Sequence, residues 1–276
     1  MKSLLLTILE WIGENLERLN AIGSNEYITS GISAFPDAYS ACSSIANTVC
    51  QPIAYTLLTI FLLLDLYGVT MHLTQQGGGG MAAPTAVLKS VIKFAMVKWL
   101  IDNSTSILSA VFSIAISITT SINTSSGTSA ASLIPQMQQI IEDSNAGITE
   151  GLGSVLIMFV TYLATWVAII GTTYVILSRF VQVYFFLALA PIPLSFFGEQ
   201  HAMQVGMSFF RGFSSVCLQS AVIALALRLY PMFASALTTN GDSISSYCLQ
   251  IAMLTIILVG TVFGSSQIAK AVFGTG

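Results

Sequence analysis

The chain has 276 residues, of which 54% are hydrophobic and only 8% are charged, and its formal net charge is −3. Soluble domains carry about 25% charged residues, so this composition excludes an ordinary soluble domain and indicates a polytopic membrane protein. The small net charge and the lack of any run of Lys or Arg argue against nucleic-acid binding over a broad surface. Any contact with DNA is therefore expected to be indirect or confined to a pore.

Residues 1–50 are predicted to form an extracytoplasmic region that begins with an amphipathic helix. Within residues 3–19, apolar residues recur at helical spacing and charged residues lie between them. The apolar set is Leu4, Leu5, Ile8, Leu9, Ile12, Leu16 and Leu19, and the charged set is Glu10, Glu14, Glu17 and Arg18. Glu10 interrupts the apolar run and no small-residue cleavage site follows, so a cleaved export signal is not expected. The helix is predicted to lie at the membrane surface or against a partner, held by apolar burial.

Residues 51–276 are predicted to form the transmembrane domain, with five long apolar segments and one short one. The first long segment runs from about residue 52 to 71. The second begins at a basic turn that holds Lys89, Lys93 and Lys98, and it continues to about residue 122. Because the second segment is rich in Ser and Thr, it is expected to pack on other helices or to line a polar space.

A polar loop at residues 123–150 separates these segments from the rest of the domain. The third long segment covers residues 151–177, the short one 181–197, and the last two 212–237 and 248–268. The positions of Lys and Arg place the N-terminus outside and the C-terminus in the cytoplasm of a multi-pass protein of the cell (plasma or inner) membrane. The predicted fold class is therefore all-α, with about five transmembrane helices plus one short Pro-broken re-entrant segment.

The short segment contains the peptide that most constrains the chain: Ala190, Pro191, Ile192, Pro193, Leu194 and Ser195. Neither proline has an amide donor, and each disfavours helical geometry in the residue before it, so Ala190 and Ile192 are predicted to be extended. Unbonded carbonyls are costly in hydrocarbon unless they are buried in protein or face water. We therefore expect a re-entrant element that lines a cavity or a subunit interface. A kinked transmembrane helix is the alternative.

Charged residues near the apolar segments give two further sets of candidates. Arg179 and Arg211 flank the short segment and are predicted to anchor its ends at the cytoplasmic face. Asp65, Asp102 and Arg228 are the charges within or at the edges of spans, where charge usually marks a pathway or a buried pair. Asp102 follows Lys98 by one helical turn, so a local ion pair is expected, whereas Arg228 could extend toward the membrane surface.

Gly260 and Gly264 form a GxxxG pattern in the last span, where small residues allow close helix contact. Cys42 and Cys50 would lie about 12 Å apart on one helix, which is beyond disulfide reach. No HExxH, GxSxG, GxGxxG or P-loop pattern occurs, and the cysteines and histidines lack metal-ligand spacing. Neither catalysis nor a cofactor is expected.

The stretch from Arg179 to Pro231 resembles the core of the TrbL-type (VirB-class) polytopic subunits of conjugative type IV secretion systems, most closely the Gram-positive conjugative-element branch. The resemblance rests on four features, namely a basic residue before an aromatic-rich run, the APIPLS peptide at 190–195, a Gly-x-x-Phe-x-Arg-type helix start at 206–211, and VCLQ at 216–219. The family has no agreed catalytic residues, so the resemblance implies no enzymatic activity.

What the resemblance implies is a membrane channel or scaffold subunit of a conjugal DNA transfer machine. Such a subunit would form a ring-like homo-oligomer in the lipid bilayer and contact other secretion membrane subunits and cytoplasmic ATPases. It would meet transported DNA or nucleoprotein only indirectly or in a pore. The alternatives are a small-solute transporter or ion channel, which should show paired broken helices in internal repeats, and a structural organiser without a pore.

Overall fold

The structure, a computed structural model, describes residues 2–24, 31–32, 34–75, 82–124, 148–199, 201–238 and 244–274, and within these ranges it contains no strand. The α-helices are α1 (Lys2–Ser24), α2 (Pro36–Ile45), α3 (Gln51–Gln75), α4 (Ala82–Asp102), α5 (Ser104–Thr124), α6 (Ile148–Leu189), α7 (Pro191–Ser195), α8 (Met203–Thr238) and α9 (Ile244–Val272). A π-helical turn, Ala46–Cys50, links α2 to α3, and a 3₁₀ turn, Phe196–Gly198, follows α7. The all-α fold class is confirmed.

Five helical stretches within the described residues are long and apolar enough to cross a membrane. They are Pro36–Met71, Ser104–Thr124, Val155–Leu189, Met203–Phe233 and Leu249–Val272. Their number and order agree with the five predicted long segments. Most of the polar loop predicted at 123–150 lies outside the described residues.

Two predicted boundaries are wrong. The second span does not begin at the three lysines, because only α5, Ser104–Thr124, is long and apolar enough to cross a membrane, and the lysines lie in α4 before it. Helical hydrogen bonding continues across Asn103, whose amide donates to the Trp99 carbonyl at 3.0 Å and whose carbonyl accepts from the Ile107 amide at 3.0 Å. The third span does not end near Arg179, because α6 continues as one helix to Leu189. Residues 181–189 are therefore the end of α6 rather than the start of a separate segment.

The chain divides into two compact units. The first unit comprises Met1–Gly31, Ile114–Arg179 and Leu218–Ala269, and the second comprises Ile32–Ser113, Phe180–Cys217 and Lys270–Gly276.

In the first unit, α1 buries its predicted apolar face within the chain. Leu5, Ile8, Leu9, Ile12, Leu16 and Leu19 are buried, whereas Leu4 is 51% exposed, because at 3.6 residues per turn it lies at the edge of this face. The Asn15 side chain donates to Thr165 Oγ1 of α6 at 3.1 Å, and the Trp11 and Tyr162 rings lie 5.8 Å apart. α6 of the same chain is thus one partner of α1.

Polar contacts join the other helices of the first unit. Gln219 of α8 donates to Ser265 of α9 at 3.0 Å. The hydroxyls of Thr119 in α5 and Ser220 in α8 lie 3.0 Å apart, and those of Tyr230 and Thr255 lie 3.1 Å apart. Because lipid provides little hydrophobic drive for helix association, such contacts and close packing hold helices together in a membrane.

In the second unit, α3 and α4 pack as an antiparallel hairpin. Ser90 of α4 donates to Asp65 of α3 at 2.6 Å, and Tyr55 near the start of α3 donates to Asp102 at the end of α4. The buried apolar residues of this hairpin form one core with a residue of α7: Ala54, Leu58, Phe94, Val97, Ile101 and Leu194. The short helix is thereby built into the core of the unit.

Candidate functional site

The helix is interrupted at the prolines, as the sequence predicts, but the backbone conformation there differs from the predicted one. The helix α6 ends at Leu189, and Ala190 has φ −49° and ψ −44°, which is helical rather than extended. Ile192 likewise lies inside α7. The extended conformation predicted for these two residues is wrong, because both prolines fall in the first turn of α7, where amide groups have no acceptor within the helix.

The proline-broken segment is buried by protein. Ala190, Leu194 and Ser195 are all 0% exposed, and Pro191 is buried as well. The Ser195 hydroxyl donates to the Ile192 carbonyl at 2.7 Å, and the Leu194 amide reaches the Ala190 carbonyl at 3.3 Å. Irregular backbone at membrane depth is tolerated where protein buries it, and the segment meets that condition.

Gly198, at the end of this segment, packs tightly against the α3–α4 hairpin. A Cβ atom at Gly198 would lie 3.0 Å from Leu58 Cδ1 and 3.0 Å from Phe94 Cε1. The Phe61 and Phe196 rings are 5.3 Å apart in the same region. Because Gly198 has no side chain, the segment can pack closely against the hairpin.

After Gly198 the chain folds back on itself. Glu199 is extended, with φ −116° and ψ 132°. Phe197 then lies so close to the first turns of α8 that a Cβ at Gly206 would be 2.6 Å from its ring. Farther from the turn, the Phe186 ring of α6 lies 5.8 Å from Phe213 of α8. The end of α6, with α7, and the start of α8 thus form an antiparallel pair.

The two flanking arginines have different environments. Arg179 is only 1% exposed and lies within α6 in the first unit, whereas Arg211 is exposed on α8 in the second unit. The anchoring role predicted for both at the cytoplasmic face stays a prediction.

Each of the charges predicted within the spans has a defined contact. Asp65 accepts the hydrogen bond from Ser90, and Asp102 forms the expected ion pair with Lys98 at 3.6 Å. Arg228 donates to the main-chain carbonyl of Asn123 at the end of α5, where a cation also interacts favourably with the helix dipole. Its guanidinium thus has a main-chain acceptor within the chain.

The GxxxG pattern of α9 is not where this helix packs closely against a glycine. A Cβ at Gly260 or Gly264 would have nothing within 4 Å. A Cβ at Gly171 of α6 would instead lie 2.8 Å from the Phe263 ring of α9. Gly260 and Gly264 therefore make no tight contact within the described chain, and a contact with another copy stays a prediction.

The Ser- and Thr-rich helix α5 has two different faces. Its buried face carries Ser104, Leu108, Phe112, Ala115 and Thr119. The opposite face, the exposed hydroxyl face, is defined by Ser106, Ser113, Ser117, Thr120, Ser121 and Thr124. At 3.6 residues per turn, these six side chains fall within a sector of about 100°. The sequence predicts packing or the lining of a polar space, and the structure assigns packing to one face and leaves hydroxyls on the other.

Several hydroxyls of this exposed face donate to carbonyls of their own helix. Ser113 donates to Ala110 at 2.8 Å, and Ser121 donates to Ser117 at 2.9 Å. These bonds satisfy the donors internally, while the hydroxyl oxygens retain lone pairs for a polar neighbour. The face can therefore border a polar passage without leaving donors unsatisfied in the membrane.

Residues 25–191 match the family described as TrbL/VirB6 plasmid conjugal transfer like protein. The chain belongs to this family. The match covers more than half of the chain and includes all of α5, and it overlaps the segment 179–231 from Arg179 to Pro191. No curated protein and no solved structure matches. This TrbL/VirB6-type protein is thus a multi-pass membrane component of conjugal transfer, the process served by type IV secretion.

Within the described residues, no group of three His, Cys, Asp or Glu side chains comes together to hold a metal ion. Cys42 and Cys50 are free thiols.

Proposed function

We propose that this protein is a non-enzymatic channel or scaffold subunit of a conjugal DNA transfer machine, several copies of which surround the substrate path. The family supports a place in that machine. The observation that carries the finer proposal is the exposed hydroxyl face of α5, a helix apolar and long enough to cross the membrane.

The hydroxyl face favours a passage between copies. The opposite face of α5 is already packed in the chain, with Leu108 0% and Phe112 1% exposed. In this proposal, several chains turn α5 toward a common axis, and the exposed hydroxyl faces of their α5 helices border a polar lumen. Cyclic symmetry produces this arrangement, since it presents the same surface of every copy to the axis.

The predicted orientation agrees with this arrangement. If all five candidate spans cross the membrane, the two ends of the chain lie on opposite sides, and the lysines of α4 favour the cytoplasm. We therefore propose an external N-terminus and a cytoplasmic C-terminus. Surfaces on the cytoplasmic side would then meet the ATPases of the machine, and spans would meet its other membrane subunits.

The experiment that tests a place in the machine is a mating assay with a donor that carries an in-frame deletion of this gene. We expect transfer to be lost and to return with a plasmid-borne wild-type copy. Unchanged transfer in the deletion strain would contradict the proposal.

The proline-broken segment gives a second variant for the same assay. Alanine at both Pro191 and Pro193 restores two amide donors and lets α6 continue as a regular helix. We expect this double variant to reach the membrane in normal amount but to impair assembly or transfer. Alanine at Pro36, an exposed proline in the first turn of α2 after the non-helical Phe35, is the matched control and should leave transfer unchanged.

Self-association is tested by cysteine cross-linking in membranes, in a background where the four native cysteines are replaced by serine or alanine. A cysteine at Ser117 on the hydroxyl face should form cross-linked dimers with a short bifunctional thiol reagent. A cysteine at Ala168, which is 1% exposed in α6, should not. Equal yields at both positions would contradict the arrangement around a common axis.

A further inference from the structure

A small polar cavity lies between α1 and α6 in the first unit. It has a volume of about 200 Å³ and is lined by Trp11, Glu14, Asn15, Arg18, Tyr162 and Trp166. Asn15 is 3% exposed and donates to Thr165, so the two helices that form the walls are fixed to each other at this point. The cavity is thus a feature of packed helices rather than of a loop.

One acidic and one basic side chain, Glu14 and Arg18, line the cavity, so its charges are complementary to a zwitterionic ligand. Glu14 and Arg18 are one helical turn apart on α1, and both belong to the exposed face of that helix. Among the described residues the ion pair found is the one between Lys98 and Asp102, so Glu14 and Arg18 do not satisfy each other. A bidentate guanidinium is suited to a phosphate, and a carboxylate is suited to an ammonium group.

The aromatic walls add affinity for a cation. The Trp11 and Tyr162 rings lie 5.8 Å apart at an interplanar angle of 45°, and Trp166 lines the same cavity. An ammonium group over Trp or Tyr faces is attracted by the ring quadrupole, most strongly where water is partly removed. The ammonium end of a ligand thus has both a carboxylate and aromatic faces as partners.

The length of α6 allows the cavity to lie at the level of lipid headgroups. The apolar stretch Val155–Leu189 has 35 residues, which correspond to about 52 Å of helix and exceed the hydrocarbon core of about 30 Å. The exposed charges of α1 next to Tyr162 are costly in hydrocarbon, so the excess length belongs at this end of α6. Trp and Tyr are enriched at that depth in membrane proteins.

From these observations we propose that the cavity binds a phosphoethanolamine group, with Arg18 on the phosphate and Glu14 and the aromatic rings on the ammonium. At headgroup depth, the source of this group is phosphatidylethanolamine. Bound there, the lipid would link α1 to the surface of the bilayer.

The same charges predict selectivity. Glu14 repels a purely anionic headgroup such as phosphatidylglycerol. Phosphatidylcholine keeps the phosphate and the cation–π contact but lacks N–H donors for Glu14, so it should bind more weakly than phosphatidylethanolamine.

Tryptophan fluorescence can report binding at this cavity directly. The chain has three tryptophans, and two of them, Trp11 and Trp166, line the cavity. The third, Trp99, is 62% exposed on α4, so Trp99→Phe should be tolerated. The full-length W99F protein in detergent would be titrated with dihexanoyl-phosphatidylethanolamine, -phosphatidylglycerol and -phosphatidylcholine, and with free O-phosphoethanolamine.

We expect phosphatidylethanolamine to bind at least tenfold more tightly than phosphatidylglycerol. Arg18→Gln should weaken this binding about tenfold, and Glu14→Gln should reverse the preference toward phosphatidylglycerol. Glu17→Gln, which removes one acid from the same helix outside the cavity, is the matched control and should change neither value. Weaker binding of free O-phosphoethanolamine than of the lipid would identify the lipid as the source, and equal binding would identify the small molecule.

Two results would overturn the proposal. One is equal binding of the three lipids by the W99F protein. The other is binding that Arg18→Gln and Glu14→Gln change no more than Glu17→Gln does.

Discussion

Two helix contacts of this chain, one in each compact unit, are stabilised by different chemistry. In the second unit, α7 and the α3–α4 hairpin pack through apolar and aromatic side chains around Leu194, which is 0% exposed. In the first unit, hydroxyl and amide groups join helices in pairs, as between Gln219 and Ser265. The difference shows that a helical membrane protein can combine a core built like that of a soluble protein with helices linked by polar contacts.

This contrast predicts different costs for substitutions at apolar and at polar contacts. Apolar cores respond to lost volume, because the cavity left behind closes only in part. Interhelical hydrogen bonds in a membrane are worth less, since the separated helices also find polar partners. The substitutions below follow that order, from the largest expected effect to the smallest.

Leu194→Ala should have the largest effect. It removes a fully buried side chain between α7 and the hairpin and should cost about 2–5 kcal/mol. Thermal unfolding of the purified protein in detergent measures the loss. Leu189→Ala, five positions earlier at a residue that is 50% exposed, is the control and should change the unfolding temperature little. Equal effects of the two would remove the evidence for a core around α7.

Gly171→Val should come next. Its new side chain would meet the Phe263 ring, and overpacking of this kind costs about 1–3 kcal/mol. Gly260→Val makes the same change on α9 where a Cβ would have nothing within 4 Å, so it should leave unfolding of the single chain unaltered. If Gly260→Val instead lowers only the oligomer fraction in size-exclusion chromatography, the GxxxG pattern serves contact between copies.

The Gln219–Ser265 bond should contribute less. A double-mutant cycle with Gln219→Leu and Ser265→Ala should give a coupling of about 0.6 kcal/mol, and at most about 1.7 kcal/mol. The measurement is the unfolding free energy of the four proteins of the cycle in the same detergent. A coupling well above that range would mean that polar contacts, rather than apolar packing, dominate this protein.

Lys98→Gln should have the smallest effect. The ion pair with Asp102 is 3.6 Å long, and its two side chains are 63% and 38% exposed, so screening limits it to about 0–1 kcal/mol. The change in unfolding temperature should therefore fall close to that of Lys89→Gln, whose side chain is also exposed on α4. A larger loss for Lys98→Gln would show that this end of the hairpin lies in a medium of low dielectric constant.

Much of the fold follows from hydrophobic length and from proline. The five apolar stretches, the amphipathic α1 and the break after Leu189 are all evident in the sequence, because burial and missing amide donors act locally. The positions of Lys and Arg likewise predict the orientation of the chain in the membrane, and no observation here tests that orientation.

Other features depend on which faces meet in three dimensions. The GxxxG pattern marks small residues but not their neighbours, and the close contact lies at Gly171 instead. The conformation of Ala190 depends on the prolines falling in the first turn of a new helix, which residue preferences alone do not specify. The Ser/Thr content of α5 indicates polarity, but only the packing of Leu108 and Phe112 determines which hydroxyls are left outside.

The most direct test of the channel proposal is the mating efficiency of a donor whose hydroxyl face is made apolar by Ser113→Leu, Ser117→Leu and Ser121→Leu. Thr173→Leu, at an exposed hydroxyl on α6, is the control for a comparable change away from α5. We expect the triple variant to be inserted in the membrane in normal amount and to reduce transfer at least tenfold, while the control transfers normally. Normal transfer by the triple variant would contradict a passage bordered by α5.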